Sequence, residues 1–338
     1  MPYEKPWTSF EKQLGILKER GLSITDESKS LDALKRIGYY RLSGYWYPFK
    51  KRSGVCCDVM NPINIKVQQK KSIKEKTEKI VLDVFLNEAT FENAVKLYIF
   101  DKKLRLLVLD AIERIEIALR VDISHTLGEL DRFAYLEANH LSNDFTQKID
   151  NKTGVSSHMT WVQNHAKLIN RSKDEFMKSY KTKYGLPVPI WIACEVWDFG
   201  TLSKLFSGLK PEHQIKIARK YGISDGAVFG SWLKSLNYLR NVCAHHSRLW
   251  NRNIVVQPKK PPEGDAPLFE CAWQNSHTQA RVFLLLYITQ FLLTKIHPSS
   301  SWWTRLVALI DKDFPNLDQL NIDLKNMGEI EGWRDWRW

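Results

Sequence analysis

The sequence predicts a mainly α protein: a helical bundle with a small N-terminal helical module and long loops. Three observations predict it. Phe100, Leu104, Leu107, Val108, Ala111, Ile115, Ala118 and Leu119 recur every three or four residues, as one helix face against a core requires. Residues 190–196, 211–221, 231–249 and 278–297 read as further helices between breakers. Strand-like alternation is picked out in one short stretch, Ile63-Asn64-Ile65-Lys66-Val67.

Taken in chain order, residues 8–20 and 29–37 read as two short helices split by a turn at Gly21, with Asp26 capping the second. A winged-helix-like form of this module is an alternative. After Gly44-Tyr45-Trp46-Tyr47-Pro48 a polar, lysine-rich stretch runs to about residue 80. The strongest helix follows, from about Ala89 to Leu127. Opposite its apolar stripe lie Glu113, Glu116, Arg120 and Ser124. Glu116 with Arg120, and Asp110 with Arg114, are spaced i,i+4 in the favourable order, so surface ion pairs account for them. The alternative is that this stripe faces the helix around Arg240. Residues 140–158 form a polar surface loop, and Gly185–Pro189 breaks the chain again. Thr201 is a candidate cap for Leu202–Leu209, Gly222 closes the helix at 211–221, and Pro258–Gly264 is a loop. Trp333, Trp336 and Trp338 crowd the last six residues, and such a tail is expected to pack on the body or on a partner. The expected division is 1–80 (helical module and basic linker), 81–320 (main helical domain) and 321–338 (Trp-rich tail).

Composition sets wider bounds. The chain has 338 residues, 43% of them hydrophobic, enough for a large core. It lacks an uncharged apolar run of eighteen residues and an evident leader, so a cytoplasmic protein away from membranes is expected. Five cysteines without regular spacing suggest neither a disulfide framework nor zinc; Cys194, Cys243 and Cys271 read as small core residues, and no metal or cofactor is expected. The net charge of +12 favours a polyanionic partner. Much of the excess lies in 66–79 and 167–183, where Lys70, Lys71 and Lys74 are candidate contacts to RNA phosphates. Aromatic residues can stack on bases, but Trp191, Trp197 and Trp232 lie on apolar repeats and read as core.

Arg240-Asn241-Val242-Cys243-Ala244-His245 carries the chemistry. On a continuous helix Arg240, Ala244, Arg248, Asn241 and His245 share an arc of roughly 140°, away from Leu239, Val242, Cys243 and Leu249. A permanent cation, an amide and an imidazole on one face can cleave RNA through its own 2′-hydroxyl. The imidazole moves a proton, and the guanidinium neutralises the charge that builds on phosphate. Asn241, one turn before His245, can orient the ring. Arg248 is a candidate phosphate binder. His246 falls among Leu239, Val242 and Leu249 and is expected to point inward as a supporting group, while Asn237 and Asn251 read as capping or packing residues. Arg120 and His125 repeat the Arg-to-His spacing, without the Asn and at a helix end.

Residues 239–251 (LRNVCAHHSRLWN) resemble the signature of the bacterial abortive-infection family typified by AbiD and AbiF, within the HEPN superfamily. Three other segments resemble the same family in the same order: 37–46 (IGYYRLSGYW), 100–105 leading into 113–116, and 197–205 (WDFGTLSKL). The resemblance implies a HEPN-type helical domain and a metal-independent endoribonuclease that defends against phage by shutting down the host. Arg240 and His245 would be its catalytic residues. It further implies a homodimer whose two motifs share one site, products ending in a 2′,3′-cyclic phosphate, and restraint by a small RNA or another partner. Glu113, Glu116 and Arg120 would be supporting groups. The rival from another class is a non-catalytic RNA-binding or interaction module of a defence or toxin–antitoxin system.

Overall fold

In a computed structural model of the chain, residues 6–53 and 80–338 are described. The Ile63–Val67 strand, Cys56-Cys57, and Lys70, Lys71 and Lys74 lie outside them. The described residues are mainly α, with fourteen α-helices and one two-stranded antiparallel sheet. No helix among them is long and apolar enough to cross a membrane. They form two compact units.

The first unit takes in the residues up to Phe100 together with Lys312–Asp323. Helices α1 (Phe10–Glu19) and α2 (Glu27–Ile37) follow the expected pair. Asp26 does cap α2, its carboxylate accepting from the Lys29 N–H at 3.0 Å, and Gly21 turns the chain at φ 86°. Helix α3 (Tyr39–Trp46) follows, burying Leu42, Tyr45 and Trp46. Strands β1 (Lys50–Arg52) and β2 (Val81–Phe85) pair antiparallel. The first ten residues of α4 (Phe91–Gly128) complete this unit, and Tyr45 packs edge-on against Tyr98.

The second unit comprises Asp101–Asp311 and Leu324–Trp338. It holds the rest of α4, then α5 (Asn143–Thr146), α6 (Ser157–Arg171), α7 (Glu175–Tyr184), α8 (Ile190–Ala193), α9 (Phe199–Gly208), α10 (Pro211–Lys220), α11 (Gly226–Ala244), α12 (Ser276–Gln279), α13 (Val282–Ile296) and most of α14 (Trp302–Asp313). Helix α11 packs against α9, α10 and α13. Helix α13 is buried on every side from Val282 to Leu293, which is why its sequence shows no polar face. The Trp-rich tail packs on this unit: Trp333 is buried edge-on against Phe283, and Trp336 and Trp338 meet Tyr287 and Trp303.

Several expectations are corrected. Asp198, not Thr201, caps α9, accepting from the Thr201 N–H at 2.7 Å, so the helix begins three residues earlier. Trp191 is half exposed, because α8 is a single turn with no room to bury both faces. Cys271 is exposed on a 3₁₀ turn, whereas Cys194 and Cys243 are buried. Helix α11 is shifted toward the N-terminus of the expected 231–249 and stops at Ala244.

A buried aromatic cluster gives this unit a pH dependence. His165 stacks flat on Trp161, and its Nδ1 accepts from the Trp197 indole N–H at 2.9 Å. That bond requires a neutral imidazole, and burial pushes the His165 pKa down from 6.5 to about 4. The folded chain therefore binds this proton less readily than the unfolded chain. The contribution is complete above the unfolded value and is lost as pH falls from there to about 4. Acidification across that window should remove about 3 kcal/mol. Denaturation midpoints near neutrality and near pH 4 should differ less in His165→Gln than in the parent.

Candidate functional site

The site is built on the last turn of α11. Val228, Phe229, Trp232, Leu233, Leu236, Leu239, Val242 and Cys243 are buried and fix the helix against its neighbours. Arg240 and Asn241 are left half-buried, and His245 is exposed. The helix ends in a Schellman arrangement: the Ser247 N–H donates to Val242 O at 3.0 Å and the His246 N–H to Cys243 O at 3.1 Å. His246 takes the left-handed conformation there, at φ 55°, a position usually given to glycine. It is therefore exposed and does not point inward. Arg248 lies past the helix end, so helical periodicity no longer sets it on one arc with Arg240.

Arg240 donates to Asn241 Oδ1 at 3.3 Å. It also lines a cleft of about 360 Å³ with Glu113, Glu116 and Arg120 of α4. The α4 stripe thus faces Arg240 across this cleft. Arg120 is held by Glu116 at 3.2 Å and donates to the Trp197 carbonyl at 3.0 Å, tying α4 to the turn that starts α9. Burial pushes the Glu116 carboxyl up; Arg120 and Arg240 pull against that rise, and Asp198 and Glu113 add to it. This puts a carboxyl with raised proton affinity on the wall of the cleft that Arg240 lines. The His245 ring is exposed and has no hydrogen bond or ion pair among the described residues, so Asn241, which receives Arg240 instead, does not orient it. His125 is on a different cleft from Arg120, beside Trp191, so the second Arg-to-His spacing builds no joint site.

The turn after α11 is anchored from below. Asp101 is fully buried and accepts from the Leu249 N–H at 3.2 Å and the Trp250 N–H at 2.7 Å. It is paired with Arg105, itself buried, which donates to the Ser247 carbonyl at 3.3 Å. Sequence reasoning assigned this pair no role. The available signal was a charged couple, i,i+4, flanked by core-facing Phe100 and Leu104.

Residues 32–251 match the family described as Abi-like protein. This chain belongs to that family. The match covers well over half of the Abi-like chain and contains all four segments picked out from its sequence. It places the chain in an abortive-infection family. No curated protein and no solved structure matches it. In this Abi-like protein the four segments have different structural duties: 37–46 builds α3 of the first unit, Asp101 and Arg105 anchor the turn after α11, 197–205 starts α9, and 239–251 bears Arg240 and His245. Asn237, read from sequence as a cap or packing group, lines a second cleft with Asn241.

Proposed function

We propose that this Abi-like protein is a metal-independent endoribonuclease of HEPN type that acts in abortive-infection defence against phage. The observation that carries the reading is the end of α11, where Arg240 faces an acidic–basic cleft and the unpartnered His245 ring stands open to solvent one turn after Asn241. The guanidinium can neutralise a phosphate in bidentate geometry, and the imidazole can move the 2′-hydroxyl or leaving-group proton. DNA lacks the attacking hydroxyl and should survive. The test is incubation of purified protein with labelled RNA in EDTA. Fragments ending in 2′,3′-cyclic phosphate and 5′-hydroxyl support the reading; intact RNA with a folded protein defeats it.

The active form in this proposal is a homodimer. Leu106, Ile117 and Val121 leave an exposed apolar stripe on α4, between 49% and 59% accessible, and Ile117 also borders the Arg240 cleft. A second copy covering this stripe would bring two motif helices to one twofold axis. Ile117→Asp with Val121→Asp should yield monomers in analytical ultracentrifugation and lower cleavage at least tenfold. A dimer that persists with full activity would place the contact elsewhere.

A further inference from the structure

A second, larger cleft opens between α9 and α11, with a volume of about 640 Å³. Lys204 projects into it from α9, and Lys234, Asn237, Tyr238 and Asn241 from α11. Both helices come from segments inside the matched family region. Neither lysine has an acidic partner within ion-pair distance among the described residues, although Asp144 lines the same cleft. Two lysines against one carboxylate leave the concavity net positive, which attracts an anion. The Asn237 side chain makes no hydrogen bond to the described protein, and Asn241 uses only its Oδ1, toward Arg240. Two amides on successive turns therefore present free donors and acceptors to whatever fills the space. The Tyr238 ring, held by Arg252 through its hydroxyl at 2.7 Å, adds an aromatic surface. Cations, free amides and a ring in one cleft match the three chemical parts of a nucleotide: phosphate, base edge and base face. The volume lies within the range of small-ligand sites and accommodates about one nucleotide.

Resting on the ribonuclease reading, we propose that this cleft seats one nucleotide of the single-stranded RNA substrate next to the scissile bond. Lys204 and Lys234 hold its phosphates, and Asn237 and Asn241 read its base. Asn241 then joins two duties, since the same side chain receives the Arg240 guanidinium and faces the cleft. The cleft would set which bond is cut, while Arg240 and His245 cut it.

The test uses eight-nucleotide 2′-O-methyl RNA homopolymers of A, C and U, which bind but cannot be cleaved, with the full chain over a salt series. Lys204→Ala with Lys234→Ala should weaken binding about tenfold and make the slope of log affinity against log salt shallower by about 1.4, as loss of two single-strand phosphate contacts requires. Asn237→Ala should level the wild type's preference among the three homopolymers. Unchanged affinity and slope in the double-lysine variant would overturn the proposal, as would an unchanged preference in Asn237→Ala. Cleavage of unmodified RNA, followed in parallel, separates the two readings. Cleavage with cleft-independent binding removes this proposal and leaves the ribonuclease, whereas cleft-dependent binding without cleavage keeps the cleft and removes the ribonuclease.

Discussion

Alanine at His245 is expected to slow RNA cleavage by about 10²–10⁴-fold, the range for loss of a positioned general acid or base. Alanine at Arg240 should cost about 10²–10³-fold, as for loss of one donor to a developing anion. His245 is exposed and Arg240 half-buried on a cleft wall, neither on the packed face of α11, so both variants should melt close to the parent. Induced expression of the parent should arrest growth and fragment cellular RNA, and both variants should lose the two effects together. Arg240→Lys discriminates further. It retains the charge without the planar fork, and should recover only part of the rate if bidentate phosphate contact matters. Equal toxicity and equal RNA breakage in folded alanine variants would reduce the motif to a packing element.

The largest expected loss of stability lies below the site, at Asp101. Its carboxylate is buried, paired with buried Arg105, and receives two backbone N–H groups from the turn at Leu249 and Trp250. Asp101→Ala strands the Arg105 charge away from water and leaves those N–H groups without their acceptor. Removing one partner of a buried pair typically costs about 3–5 kcal/mol. Urea denaturation should show that loss, and cleavage should fall even where the variant is still folded, because the turn following His245 is no longer held. Replacing both residues together, Asp101→Leu with Arg105→Met, should recover part of the stability but not the anchoring of the turn. If Asp101→Ala unfolds at the parent's urea concentration, the pair does not anchor the turn.

The helices were legible in the sequence because core-facing side chains must recur with the helical period. The stripe from Phe100 to Leu119 leads directly to α4, and Asp26 announces α2 through a local hydrogen bond. The end of α11 was not legible. The usual glycine at the left-handed position is absent, and the apolar spacing of Val242 and Leu249 continues past the true stop at Ala244. Extending the helix put His246 inside and Arg248 beside Arg240. Arg240, Asn241 and His245 were found because their chemistry lies within six consecutive residues. The α9–α11 cleft was not, because Asp144, Lys204, Lys234 and Asn237 come from separate segments and only tertiary packing brings them to one concavity. Asp101 hid for a related reason: its partners are backbone groups almost 150 positions away.

The left-handed residue at the end of α11 also changes how the doubled histidine should be understood. His245 has φ −88° and His246 φ 55°, so adjacent letters occupy backbone conformations of opposite hand. They are not interchangeable copies, and one cannot stand in for the other after mutation. Glycine at 246 removes a backbone penalty of about 1 kcal/mol, so the turn should still form, read as a melting temperature close to the parent's. Glycine at 245 removes the reactive imidazole and gains nothing. A variant library of this site should therefore split at that peptide bond, with tolerance on one side and inactivation on the other.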